Sequence, residues 1–169
     1  MAKTYDAIVV GARVAGSPTA MLLARKGYDV LLVDRASFPS DTISTHLIHP
    51  PGITALQRWG LLDKIVASGC PAIDTYAFDF GPFTLSGAPD PDGTVAYGPR
   101  RTVLDKVLLD AAVEAGAEVR EGFSVESMLQ PVQTERNLCE RRFRQGVSAI
   151  ITVGRSSLSC SSSRSFWLP

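Results

Sequence analysis

Gly11 and Gly16 enclose Ala12-Arg13-Val14-Ala15, and Asp34 follows at the end of the next apolar run. Residues of these types at this spacing suit a dinucleotide. Gly11 permits a tight strand-to-helix turn, and Gly16 lets the helix pack closely on the strand. Backbone N–H groups at the helix start then face a diphosphate. A carboxylate at position 34 can accept hydrogen bonds from an adenosine ribose. The usual middle glycine is missing. Arg13 stands there, placing a Cβ where backbone approaches phosphate most closely, but also bringing a guanidinium that can pair with it. The bland alternative is an ordinary tight turn beside a solvated strand end. Context decides against it, because a strand precedes, a helix follows and the acidic residue is in register.

Further along, Arg100-Arg101 opens a helical pattern. An arginine at a helix N-terminus opposes the helix dipole, which favours a bound anion there over a solvated pair. Tyr76, Phe78 and Phe80 alternate with smaller residues; they suit an aromatic or isoprenoid pocket, but a sheet face packed on the core is the commoner outcome and is the expectation. Cys70, Cys139 and Cys160 are far apart and odd in number. That argues against a disulfide framework or a zinc site, and no metal site is expected. Cys70 has no basic activator nearby in sequence and reads as a structural thiol.

The elements that must position these groups are legible in the apolar pattern. Tyr5–Val10 is a buried strand, Ser17–Ala24 a helix closing near Gly27, and Asp29–Val33 a second strand, together a β-α-β unit of about 30 residues. Ser37–His49 is an irregular polar loop. Pro50-Pro51-Gly52 introduces a helix that Gly60 interrupts and that resumes until Gly69. An antiparallel excursion occupies about 73–98, its strands Thr75–Leu85 and Thr94–Tyr97 separated by a Pro-Asp-Pro-Asp-Gly cluster. Val103, Leu104, Val107, Leu108 and Ala111 then mark a helix stopped by Gly116, leading into a strand at Glu118–Arg120. The expected fold is α/β and Rossmann-like, a parallel sheet built on the β-α-β unit.

The chain has 169 residues, no net charge and an ordinary globular composition. That bounds it to one domain with a real core. After Gln130 the character changes: arginine and serine dominate, lysine and aspartate vanish, and only Ala149–Val153 suits a strand. Residues 131–169 are expected to be a disordered tail or the product of a shifted reading frame. No apolar run reaches membrane-spanning length and no signal core precedes Tyr5, so a cytoplasmic protein without an integral membrane segment is expected. The tail's few arginines, not interleaved with aromatics, give no footprint for nucleic acid.

Three segments carry a resemblance. Tyr5 to Ser17, then Val33-Asp34-Arg35, then Pro99-Arg100-Arg101-Thr102-Val103-Leu104-Asp105 resemble the FAD-binding oxidoreductases that include aromatic-ring hydroxylases, geranylgeranyl reductases and flavin-dependent halogenases. The likeness spans residues 4–128. It implies that Gly11, Gly16 and Ser17, with Ala12, Arg13 and Ala15 between, cradle the FAD pyrophosphate. It implies also that Asp34 holds the adenosine ribose with Arg35 beside it, and that Arg101 reaches the FAD from the start of its helix. In this family the loop bearing Ser44, Thr45, His46 and His49 passes near the flavin. Its histidines offer acid–base chemistry, but loop histidines that only hydrogen-bond to backbone are the favoured reading, since the flavin carries the redox step; Ser44, Thr45 and His46 can still touch the cofactor through their backbone.

Two family segments, a Gly-Asp-Gly-like one and a Gly-Asp one near the ribityl chain, have no match. Val153-Gly154-Arg155-Ser156 takes roughly the place of the first without its aspartate. Residues 1–130 are therefore expected to be a partial FAD-binding domain. The function expected is that of an oxidoreductase of monooxygenase or reductase type, with NAD(P)H as electron donor and a small organic substrate, aromatic or isoprenoid-like. Two alternatives stay open. One is a non-catalytic nucleotide-binding remnant or truncated product. The other is an NAD-binding dehydrogenase domain, which explains the Arg101 segment poorly.

Overall fold

The computed structural model describes residues 3–126 and the backbone of residues 151–157. Strands β1 (Thr4–Val10) and β2 (Val30–Val33) pair in parallel, with Ala7 opposite Val30 and Val10 opposite Val33. Helix α1 (Gly16–Ala24) connects them. Every residue of β2 is buried, as an apolar run covered on both faces must be. The two-residue period divides it: Val30 and Leu32 join the main core, while Leu31 and Val33 pack with Tyr5 in a second cluster.

The main core lies between the sheet and the helices. Val9, Ala20, Met21 and Leu32 meet Leu104, Leu108 and Ala112 of α4 (Arg101–Glu114). Gly116, at φ +101°, ends that helix region and turns the chain into β7 (Glu118–Arg120), which pairs in parallel with β2. Pro50 and Pro51 open α2 (Pro50–Trp59), where a missing amide hydrogen costs nothing. Gly60 closes it in the left-handed conformation, and α3 (Leu62–Val66) follows. Ile53, Leu56 and Ile65 bring this helix pair onto the same core.

The fourth strand of the sheet comes from the tail. β8 (Ile151–Ser157) lies on the free edge of β1, giving the order β7-β2-β1-β8, but it runs antiparallel. Its register sets Ile151 against Val9 and Ser156 against Tyr5. Val153–Ser156 therefore runs away from Gly11, toward the start of β1. The strand also reaches into the serine-rich run expected to be unstructured. The other tail residues, Cys139 and Cys160 among them, lie outside the described residues.

The excursion is also paired differently from expectation. β3 (Ala72–Ile73) pairs with β6 (Ala96–Tyr97), and β4 (Tyr76–Asp79) with β5 (Thr84–Gly87). The turn thus falls at Phe80–Phe83, where the Phe80 amide donates to the Phe83 carbonyl at 3.0 Å. Thr75–Leu85 is a hairpin, not one strand. Nor do its aromatics enter the core: Phe78 is 61% exposed and Phe80 57%. Among the described residues no layer lies over this two-stranded ribbon, and a bare ribbon cannot bury either face. Tyr76 alone is half-buried, its hydroxyl 2.9 Å from His49 Nδ1.

Candidate functional site

The carboxyl ends of β1 and β2 lie side by side, and both candidate nucleotide groups emerge there. The Gly11 amide donates to the Val33 carbonyl at 2.7 Å, fastening one strand end to the other. Gly11 then turns at φ +100°, a conformation that side chains resist. Gly16 has a different duty. A Cβ at that position would sit 1.7 Å from the Gly11 carbonyl oxygen, so α1 meets β1 in direct backbone contact. The expected tasks of both glycines are thus visible in the geometry.

Between them the chain leaves amides unused. Among the described residues, the N–H groups of Arg13, Val14, Ala15 and Gly16 have no hydrogen-bond acceptor, as befits the first turn of a helix without a side-chain cap. Val14 and Ala15 are exposed there, whereas Ala12 is buried. Ser17 is also fully buried, and its hydroxyl donates to the Ala12 carbonyl at 2.9 Å. Its hydroxyl is already committed to the protein's own backbone, so what it offers an anion is reduced.

Asp34 sits against this turn. One carboxylate oxygen, Oδ2, accepts from the Ala12 amide at 2.7 Å; the other, Oδ1, accepts from the Ala36 amide at 2.8 Å. The residue is only 8% exposed. Each oxygen retains a second lone pair. Asp34 therefore shapes the loop and still has acceptor capacity at its edge. Arg35 points outward and is exposed, as is Thr45.

The arginines depart most from expectation. Arg101 Nε and NH2 grip Asp105 in a bidentate pair, at 3.0 Å to Oδ1 and 3.1 Å to Oδ2. Arg13 NH1 reaches the same carboxylate at 2.7 Å, and its NH2 bonds to Ser40 Oγ at 3.0 Å. The anion inferred at the start of α4 is thus Asp105, supplied by the helix itself. Arg100 is the solvated member: it pairs at 3.0 Å with exposed Asp41, and that bond holds the Asp41 carboxyl below its ordinary range. Sequence reasoning gave Asp105 and Ser40 no role. The four-residue separation of Arg101 and Asp105 on one helix was the signal available for the first; a contact between distant loops left none for the second.

Beside Arg101 opens a cavity of about 340 Å³, walled by Ile48, Leu56, Trp59 and Leu104 and edged by Ser44, His46 and His49. His46 is the one described non-glycine residue with a positive φ, 53°. Its Nδ1 is buried and, among the described residues, has no hydrogen-bond partner. Strain and an unpaired polar atom at a cavity wall are features of sites that receive a ligand. Cys70 is a free thiol whose Sγ lies 3.4 Å from the Ile65 carbonyl, in keeping with a structural role. Among the described residues no cluster of potential metal ligands occurs, and no helix is long and apolar enough to cross a membrane.

Comparisons with known proteins agree with this geometry. The squalene monooxygenase of Candida glabrata is 45% identical over 62 residues, 37% of this chain and 13% of that protein. A flavin-dependent halogenase of Armillaria mellea is 30% identical over 134 residues, 72% of this chain and 24% of the relative. Among solved structures, the myxobacterial chondrochloren halogenase CndH superposes with a TM-score of 0.61 at 27% identity, over 71% of this chain and 30% of that one. The p-nitrophenol 4-monooxygenase of Pseudomonas putida shares the fold, with a TM-score of 0.63 at 23% identity, over 73% of this chain and 33% of its own. The chain spans a third or less of the length of each of these proteins. A family model described as FAD binding domain matches residues 4–150, which takes in the glycine turn, Asp34 and all of α4. The matched span holds the free amides, the backbone contact at Gly16 and the buried Asp34 carboxylate, and this chain belongs to the FAD binding domain family.

Proposed function

We propose that the chain is the nucleotide-binding portion of an FAD-dependent oxidoreductase of monooxygenase or reductase type, reduced by NAD(P)H and acting on a small organic molecule. The observation that carries the reading is the 2.7 Å bond from the Ala12 amide to Asp34, which joins an acceptor for ribose hydroxyls to a helix start whose amides are unused. An adenosine diphosphate needs both.

In this reading the amides of Arg13, Val14, Ala15 and Gly16 receive the diphosphate, and Gly11 gives the turn that aims them. Ala12 and Ser17 brace the loop from below. Asp34 takes the adenosine ribose, with Arg35 beside it. Thr45 and His46, from the 37–49 loop, and Arg101 serve the flavin end at the cavity. Bound FAD supplies hydride and oxygen chemistry that no side chain here can perform. The apolar wall formed by Ile48, Leu56, Trp59 and Leu104 keeps water from that end. The names of the relatives, a squalene monooxygenase and a p-nitrophenol monooxygenase, favour an apolar or aromatic substrate. The free thiol of Cys70 suits the reducing cytoplasm, where we place the protein.

Titration of the purified chain with FAD, followed by flavin absorbance and fluorescence, tests the binding half. No uptake refutes the reading. Addition of NADH or NADPH to the loaded chain tests the other half: bleaching of the flavin bands is the expected result, and uptake without bleaching assigns the chain instead to a non-catalytic nucleotide-binding module.

A further inference from the structure

Asp105 is wholly buried on the second turn of α4. A buried carboxylate must be paired, and this one is paired twice over. Its Oδ2 takes bonds from Arg13 NH1 at 2.7 Å and Arg101 NH2 at 3.1 Å, while Oδ1 takes Arg101 Nε at 3.0 Å. Arg13 lies 92 residues away in sequence, at the fingerprint position where a middle glycine is usual. Its guanidinium is also bonded to Ser40 Oγ at 3.0 Å and to the Ser40 carbonyl at 3.4 Å, and it rests over the Phe38 ring at 5.3 Å. The group is engaged by protein groups at its edge and on its face, and its side chain is 22% exposed.

From this arrangement we infer that Asp105 is a positioning residue of the nucleotide site: with Arg13 it fastens the 11–16 loop to α4, leaving the diphosphate to backbone amides, and with Arg101 it fixes the cation at the cavity edge. The inference rests on the FAD reading above and adds a role to the arginine that replaces the fingerprint glycine. Two guanidinium groups and one carboxylate leave a single net positive charge in the cluster. Removing the carboxylate charge leaves two cations with one neutral acceptor oxygen between them. Removing Arg13 as well restores the net charge and leaves Arg101 one bond, to the amide oxygen.

Four proteins decide it: the wild-type chain, Arg13→Gly, Asp105→Asn and the double variant, each titrated calorimetrically with ADP and with FAD at two salt concentrations. Asp105→Asn is expected to bind ADP about tenfold more weakly or worse, and the double variant to recover to about the level of Arg13→Gly, the signature of two directly coupled groups. Arg13→Gly alone, which unfastens the same loop, is also expected to bind ADP several-fold more weakly, but with an unchanged salt dependence, since no guanidinium–phosphate contact is lost. The inference is overturned if Arg13→Gly flattens the salt dependence, or if either Arg13→Gly or Asp105→Asn binds ADP as tightly as wild type. It is overturned equally by a double variant no better than Asp105→Asn. Should Asp105→Asn fail to fold, as judged by circular dichroism, the Arg13→Gly arm still decides between fastening and phosphate binding. A wild-type chain that binds neither ADP nor FAD refutes the FAD reading instead.

Discussion

The β-α-β unit and the β4–β5 hairpin are both rich in apolar residues at strand spacing, yet one is sealed and the other open. In the first, Val9, Met21 and Leu32 are fully buried; in the second, Phe78, Phe80, Phe83 and Leu85 are all more than half exposed. The difference is the presence of a second layer. β1 and β2 have α1 and α4 lying across one face and Tyr5 packed with Leu31 and Val33 on the other. Among the described residues, no element covers the hairpin. Alternating hydrophobicity specifies which side chains share a face, but a face becomes a core only when another element covers it.

The sharpest way to break this contrast is to truncate one side chain in each region. Leu32→Ala removes a fully buried side chain of the central strand and is expected to cost about 4 kcal/mol, the usual range for a leucine cavity in a packed core. Phe78→Ser is expected to change stability by no more than about 0.5 kcal/mol, as for surface positions generally. Urea denaturation of both variants checks the pair. Comparable losses would mean that the hairpin aromatics are covered in solution.

Gly16→Ala sharpens the same comparison within the sealed region. Its Cβ would lie 1.7 Å from a backbone oxygen that cannot rotate away, so strand and helix must part. The expected cost is about 3 kcal/mol, the upper end for overpacking, together with loss of nucleotide affinity. Thermal denaturation and ADP titration of the same sample check both parts. Gly87→Ala in the hairpin meets nothing within 4 Å and is expected to be near neutral.

What the sequence made legible follows the same division. The β-α-β unit, α2, α4 and the strand at Glu118–Arg120 could be read because local pattern and tertiary setting agree there. Gly11, Gly16 and Asp34 were legible because each performs a backbone task that only its residue type can perform. The hairpin turn at Phe80–Phe83 was hidden because the Pro-Asp-Pro-Asp-Gly cluster is the stronger turn signal. The pairing of Arg13 with Asp105 was hidden for another reason: it joins a loop to a helix far along the chain, and nothing local requires it. The direction of β8 depends likewise on its neighbour.

The smallest expected effect concerns the rim of the sealed region, where the sheet meets water. Glu118 on β7 accepts from Lys3 at 2.6 Å and from Arg120 at 2.7 Å, and Arg120 in turn reaches the Tyr5 hydroxyl at 3.1 Å. The bond from Lys3, then those involving Tyr5 and Arg120, hold the Glu118 carboxyl down at about 2 against an ordinary 4.5. Because the folded value is depressed, the stabilisation is fully present above the unfolded value and is lost as pH falls from about 4.5 toward 2. Both partners remain partly open to solvent, so the effect is expected to stay under about 1 kcal/mol. Denaturation midpoints at pH 5 and pH 3 for wild type and Glu118→Gln measure it: the wild-type midpoint is expected to fall further than that of the variant. Equal shifts would show that Lys3 and Arg120 are held no better by the sheet edge than by water, and that the sealed region ends one strand earlier, at β2.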